Sequence, residues 1–197
     1  MSATRVPVAE PNDPEDRLDR LLVRRVLDTG EPQAFEQLLR RHQGLVRAQL
    51  RRLLHGDAAQ ADELAQEVFL RLWRKLDQYR GEARFATWLF RLAYTVFLES
   101  RRKGRLDVQD GVAPESLDEA LGAAPQAPQA LRLDLQQALE RLPRAERQAL
   151  MHCAELGLSH EEAAQVMGVP LGTLKSHVQR GKQRLRHWLQ DWKERTP

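Results

Sequence analysis

The chain is expected to fold as an all-α protein: two helical domains, a helical bundle and a helix-turn-helix, joined by a flexible acidic linker. Three observations predict this. Apolar residues recur with helical spacing on both sides of the chain's middle, and no stretch alternates with the period of two that a strand requires. Pro32 is the only proline between Leu18 and Lys103. A Gly- and Pro-rich stretch, residues 104–130, separates the two helical regions.

That stretch holds Gly104, Gly111, Gly122, Pro114, Pro125 and Pro128. It carries the acids Asp107, Asp110, Glu115, Asp118 and Glu119 against a single base, Arg105. Two roles are open to it: a spacer between domains, or an acidic mimic of nucleic acid that occupies a basic groove. Residues 1–16 are polar, with prolines at 7, 11 and 14, and read as a disordered arm. The expected layout is therefore an arm over 1–16, a helical domain over 17–103, a tether over 104–130 and a helix-turn-helix domain over 131–193.

The stretch Glu155–Leu189 is the most specific. Gly157 can end one helix and Ser159 can cap the next, with Glu162 three residues on to complete a capping box. Ala163, Ala164, Val166 and Met167 supply a short apolar face. Gly168 can take positive φ, and Pro170 suits the first turn of a further helix. From Leu171 to Gln190 there is no Asp or Glu, while Lys175, Arg180, Lys182, Arg184 and Arg186 fall in that span with His177 and His187. A helix so charged is stabilised by a polyanion. At about 100° per residue, Leu174, Val178, Gly181, Leu185, Trp188 and Trp192 share the inner arc. Ser176, Gln179 and Gln183 lie opposite, flanked by Lys175, Arg180 and Arg186, where polar groups can read base edges and cations can hold phosphates.

In the first domain, Ala61–Tyr79 places Ala61, Ala65, Val68, Phe69, Leu72, Trp73 and Leu76 on one arc. Glu63, Glu67, Leu70, Arg71 and Arg74 lie opposite, with Gln66 at the margin. Leu70 is an apolar side chain in a polar ring, a pattern that suits a protein–protein contact. The next helix, Phe85–Lys103, has two apolar faces: Phe85, Leu89, Leu92 and Val96 beside Trp88, and Phe90, Tyr94 and Phe97. It is either sandwiched between helices or presents aromatics and arginines to unstacked bases.

Composition limits the alternatives. The 197 residues are 30% charged with a formal net charge of +3, so nucleic-acid binding must come from local clusters. The one cysteine, Cys153, excludes an intramolecular disulfide. His152, Cys153 and His160 lack a second thiolate and do not make a convincing metal set, and no cofactor is expected. No apolar run has the length of a membrane span and the N-terminus has no signal-peptide core, so membrane insertion is not expected and the cytoplasm is the expected location. No acid/base pair, activated nucleophile or phosphate-binding glycine loop stands at useful spacing, which weighs against an enzyme. A stand-alone helix-turn-helix regulator remains the alternative; it would need a dimerisation surface and would have no use for the Glu63–Glu67 patch.

DELAQEVFLRLWRKLDQYRGEARFATWLFRLA and LERLPRAERQALMHCAELGLSHEEAAQVMGVPLGTLKSHVQRGKQRLR carry a further resemblance. From about Phe35 to Leu189 the chain resembles an extracytoplasmic-function (ECF) sigma factor, the first motif being similar to region 2 and the second to region 4. The resemblance implies a transcription initiation subunit that binds core RNA polymerase, at the clamp helices of the largest subunit and at the flap, and promoter DNA. It implies polymerase contact through Asp62, Glu63, Gln66 and Glu67, in agreement with the patch around Leu70. Arg84, Phe85, Thr87, Trp88 and Arg91 match the melting and minus-ten segment, Thr95 stands where relatives often carry Asn, and Arg101, Arg102 and Lys103 match its basic end. Thr173, Lys175, Ser176, Arg180 and Lys182 match the minus-thirty-five recognition helix, whose outer face also carries Gln179. An anti-sigma factor is a further partner the resemblance implies.

Overall fold

A computed structural model describes residues 14–107 and 137–193. Every regular element among them is helical. The chain divides into two compact units, Met1–Ser116 and Leu117–Pro197. The tether expected over 104–130 lies outside the described residues, except for 104–107, which continue a helix.

The first unit contains α1 (Pro14–Thr29), α2 (Pro32–Leu53), α3 (Ala58–Lys75) and α4 (Phe85–Asp107), with a short 3₁₀ turn at Leu76–Gln78. Gly30, at φ +64°, donates from its amide to the carbonyl of Val26 and closes α1. His55 and Gly56, both at positive φ, turn the chain after α2. Asp57 then caps α3 by accepting from the amide of Gln60 at 2.9 Å. α2 touches each of the other three helices, and α4 packs on α1, α2 and α3.

The core is built from Leu22, Leu38, Val46, Leu50, Val68, Leu72, Leu76, Phe85 and Leu89, all almost completely buried. α4 is apolar on two sides because it is covered on two sides: Phe90, Tyr94 and Phe97 are as buried as Leu89 and Val96. Gln49 of α2, fully buried, donates to the Phe90 carbonyl at 3.2 Å. The second aromatic face of α4 is therefore core: of the two readings open from the sequence, the helix sandwiched between others is the one its packing supports, and Phe90 and Phe97 do not form a base-stacking surface.

Two other expectations need correction. The arm expected over residues 1–16 overlaps α1. Pro14 fits a first helical turn, Glu15 and Asp16 suit the positive end of the helix dipole, and Asp16 is buried. Trp73, placed on the inner arc of α3, is 53% exposed. It leans on Phe35 of α2 edge-to-face at 4.7 Å, while Leu64 takes a place in the core.

The second unit contains a helical stretch at residues 137–140, α5 (Arg144–Leu150), α6 (His160–Met167) and α7 (Leu171–Lys193). α5 loosens into one π-helical turn, Met151–Glu155. Gly157, at φ +65°, then reverses the chain. Ser159 and Glu162 form the reciprocal capping box that their spacing predicts: the Ser159 hydroxyl accepts from the Glu162 amide at 3.2 Å, and the Glu162 carboxylate accepts from the Ser159 amide at 2.9 Å. Gly168 ends α6 in the left-handed conformation, φ +66°. α7 packs on α5 and α6 through Leu174, Val178 and Gly181. Gly181 permits close approach, since a Cβ there would lie 2.8 Å from Leu150 Cδ1.

Candidate nucleic-acid and protein interfaces

α7 divides as its periodicity predicts. Leu174 and Val178 are buried; Thr173, Lys175, Ser176, Gln179, Arg180, Lys182, Gln183, Arg184 and Arg186 are exposed. The Ser176 hydroxyl donates to the Gly172 carbonyl at 2.9 Å. Arg180 is held locally: Nε donates to the Ser176 carbonyl at 3.3 Å, and a terminal nitrogen lies 3.2 Å from His177 Nδ1.

Sequence reasoning missed the group beneath these cations. Glu146 of α5, almost fully buried, lies 3.8 Å from Arg180 Nε and 3.5 Å from Arg184 Nε. An acid embedded behind a basic helix offsets the mutual repulsion of its arginines. Its charge on an otherwise short amphipathic helix was the only available signal.

In the first unit, the outer face of α3 presents Glu63, Gln66 and Leu70, with Leu70 54% exposed. Its acids are partly committed. Asp62 is ion-paired with Arg47 at 3.1 Å and Arg51 at 3.8 Å. Glu67 pairs with Arg71, which reaches across to Glu99 of α4 at 2.6 Å. The two carboxylates hold the Arg71 guanidinium charged, raising its pKa. The patch is an apolar side chain ringed by braced ionic groups, the composition of an interface rim around an anchor.

The segment expected to meet the minus-ten DNA opens α4. Phe85 and Thr87 are buried, so in this conformation their side chains support the turn and do not face solvent. Arg84 and Trp88 are half-buried, and Arg91, Thr95, Arg101, Arg102 and Lys103 are exposed. The Thr95 hydroxyl is used within the helix, donating to the Arg91 carbonyl at 2.9 Å. Tyr79, Phe85 and Trp88 form an aromatic cluster, with ring centroids 5.4 Å apart for Tyr79–Phe85, 5.6 Å for Tyr79–Trp88 and 6.1 Å for Phe85–Trp88. Burial pushes the Tyr79 phenol up to about 12, so it stays protonated and donates to the Ala83 carbonyl at 2.9 Å.

Among the described residues, no group of His, Cys, Asp or Glu is placed to hold a metal ion, and no helix is long and apolar enough to cross a membrane.

A braced helical unit with one exposed acidic-and-leucine face, together with a capped helix-turn-helix whose outer face is polar and cationic, defines a DNA-binding protein equipped for a protein partner. Comparison with known proteins agrees. Residues 38–106 match the model of Sigma-70 region 2, and residues 132–185 match that of Sigma-70, region 4. The chain is 32% identical over 183 residues to the RNA polymerase sigma-H factor of Pseudomonas aeruginosa, covering 87% of this chain and 94% of that protein. It is 35% identical over 168 residues to the ECF RNA polymerase sigma factor SigE of Mycolicibacterium smegmatis, covering 82% of this chain and 64% of that protein. Among solved structures it is similar to the sigma factor RpoE of Bartonella quintana, determined in complex with the anti-sigma factor NepR, with 31% identity and a TM-score of 0.67 over 79% of this chain and 96% of that one. The chain belongs to the ECF sigma factors of RNA polymerase and serves in transcription initiation. Sigma factors are non-enzymatic regulators of the polymerase.

Proposed function

We propose that the chain directs core RNA polymerase to a particular set of promoters in the cytoplasm, without catalysis of its own. The outer face of α3, Asp62, Glu63, Gln66, Glu67 and Leu70, docks on the clamp helices of the largest subunit, and the second unit on the flap. α7 reads the minus-thirty-five element. Ser176, Gln179 and Thr173 address base edges, and Lys175, Arg180 and Lys182 hold phosphates. The start of α4 receives the minus-ten strand: Arg84, Trp88, Arg91 and Thr95 meet the opened DNA, Phe85 and Thr87 support them from within, and Arg101–Lys103 hold the adjoining backbone. An anti-sigma factor keeps the chain inactive by covering these faces, in keeping with the NepR complex of the Bartonella quintana relative.

The observation that carries this reading is the partition of α7. Leu174 and Val178 are buried where α7 packs on α5 and α6, while the hydrogen-bonding and cationic side chains of Thr173, Lys175, Ser176, Gln179, Arg180 and Lys182 stand exposed on the outer face. The test is in vitro transcription with core polymerase on a fragmented genomic template, with start sites mapped. Discrete starts sharing two spaced elements support it. Duplex binding as a dimer, with no association with polymerase, overturns it.

A further inference from the structure

α4 begins at a place its own sequence does not stabilise. The first intrahelical bond runs from the Trp88 amide to the Arg84 carbonyl, so the Phe85 amide points out of the helix end with no partner within α4. No Ser, Thr, Asp or Asn stands at the start of the helix to cap it. The partner comes from the other end of the unit: Asp16 Oδ1 accepts from the Phe85 amide at 2.9 Å, across 69 residues of sequence. The carboxylate is 4% exposed and sits at the positive end of the α4 dipole.

Asp16 is held in place as firmly as it holds. Its second oxygen accepts from Arg20 Nε at 2.7 Å. The same guanidinium lies over the loop that leads into α4. Gly81, at φ +73°, passes so close that a Cβ there would fall 2.9 Å from Arg20 Nη1. Tyr79 closes that loop through its bond to the Ala83 carbonyl. One turn further along α1, Asp19 accepts from Arg41 Nε at 2.8 Å and lies 2.9 Å from His42 Nε2, locking α1 to α2.

We propose that Asp16 and Arg20 are positioning residues for strand opening: from α1 they fix the loop 79–84 and the first turn of α4, and so the directions in which Arg84, Trp88 and Arg91 face the DNA. The inference rests on the assignment of the start of α4 to promoter melting and adds the device that orients it. The acceptor oxygen is the essential element for α4, and the charge the essential element for Arg20. The contribution falls on the opening step, because neither side chain belongs to the α3 face or to α7.

The test uses the full chain with core polymerase on a mapped promoter. Closed complexes are read by retention at low temperature, and the bubble by permanganate reactivity. For Asp16→Ala we expect closed-complex affinity within about twofold of the original and a loss of open complex of about tenfold, the scale of an orphaned buried amide. Asp16→Asn keeps an acceptor oxygen for the Phe85 amide but turns an amide NH2 toward Arg20 Nε, and should recover part of the opening. Gly81→Ala, which strains the left-handed backbone at φ +73° and pushes the Arg20 guanidinium off the loop, should give the same selective defect, and it stays informative if Asp16→Ala unfolds. Opening by Asp16→Ala at the original level overturns the inference, as does an Asp16→Asn variant no better than Asp16→Ala, or a folded Gly81→Ala that opens normally. An original chain that forms closed complexes yet opens no promoter overturns the melting assignment itself, and the inference with it.

Discussion

Glu146 and Arg184 meet where α5 packs on α7, Oε2 lying 3.5 Å from Nε, and the same carboxylate draws on Arg180. The acid is buried while both arginines are half-exposed. Each guanidinium thus has an internal anion that would compete with the DNA phosphate proposed for this face. Glu146→Gln should raise promoter affinity about threefold at low salt, since partly exposed pairs of this kind contribute roughly 0.2–1 kcal/mol. It should also steepen the salt dependence. Fluorescence anisotropy of a minus-thirty-five duplex across salt concentrations checks both.

Arg180→Ala should act in the opposite direction. Loss of one phosphate contact lowers affinity and reduces the slope of log K against log salt by about 1. Equal binding at every salt concentration would remove Arg180 from the interface.

Leu70→Arg should weaken core polymerase binding by tenfold or more, because truncating or charging an anchor in a polar ring acts on association. At 54% exposure the substitution should leave the melting temperature nearly unchanged. Glu67→Lys should also weaken binding, though it disturbs the Arg71–Glu99 bridge as well. A pull-down with core polymerase, paired with thermal unfolding, separates the two effects.

Trp88→Ala should impair bubble formation more than closed-complex formation. Trp88 also packs on Tyr79 and Phe85, so some stability is lost with it. Permanganate footprints normalised to folded protein make the comparison, and an unchanged bubble contradicts the role given to this side chain.

His152 makes the second unit acid-sensitive. Its ring is fully buried, Nδ1 donates to the Gln148 carbonyl at 2.8 Å, and burial holds its pKa down at about 4 from an ordinary 6.5. The unfolded chain therefore takes up the proton first as pH falls. Stability from this group is complete above pH 6.5 and is lost progressively toward pH 4, amounting to about 3 kcal/mol. Protection factors of the α5 and α6 amides, taken against the intrinsic exchange rate at each pH, should fall over that window, and His152→Met should flatten the dependence.

Local signals were legible from sequence where their partners lie within a few residues. Ser159, Glu162 and Gly168 act within one helix, so spacing alone located them, and the buried Leu174, Val178 and Gly181 of α7 followed from a single period. Features set by distant packing were not. Asp16 read as part of an arm because its partner is Phe85, far along the chain. Trp73 sits on a geometrically inner arc, but its ring lies half in solvent, edge-to-face with Phe35. The two aromatic faces of α4 looked alike, and only the helices packed on both sides decide that both are core. Glu146 had no sequence neighbour to mark it; its arginines come from another helix.

The cluster of Tyr79, Phe85 and Trp88 has an optical consequence. A phenol 5.6 Å from an indole passes its excitation on efficiently, and the indole's emission responds to any change in what covers it. Replacing Trp73, Trp188 and Trp192 with phenylalanine would leave Trp88 as the sole indole of the chain. On the melting role proposed for Trp88, its colour and intensity would then report promoter opening without an attached dye.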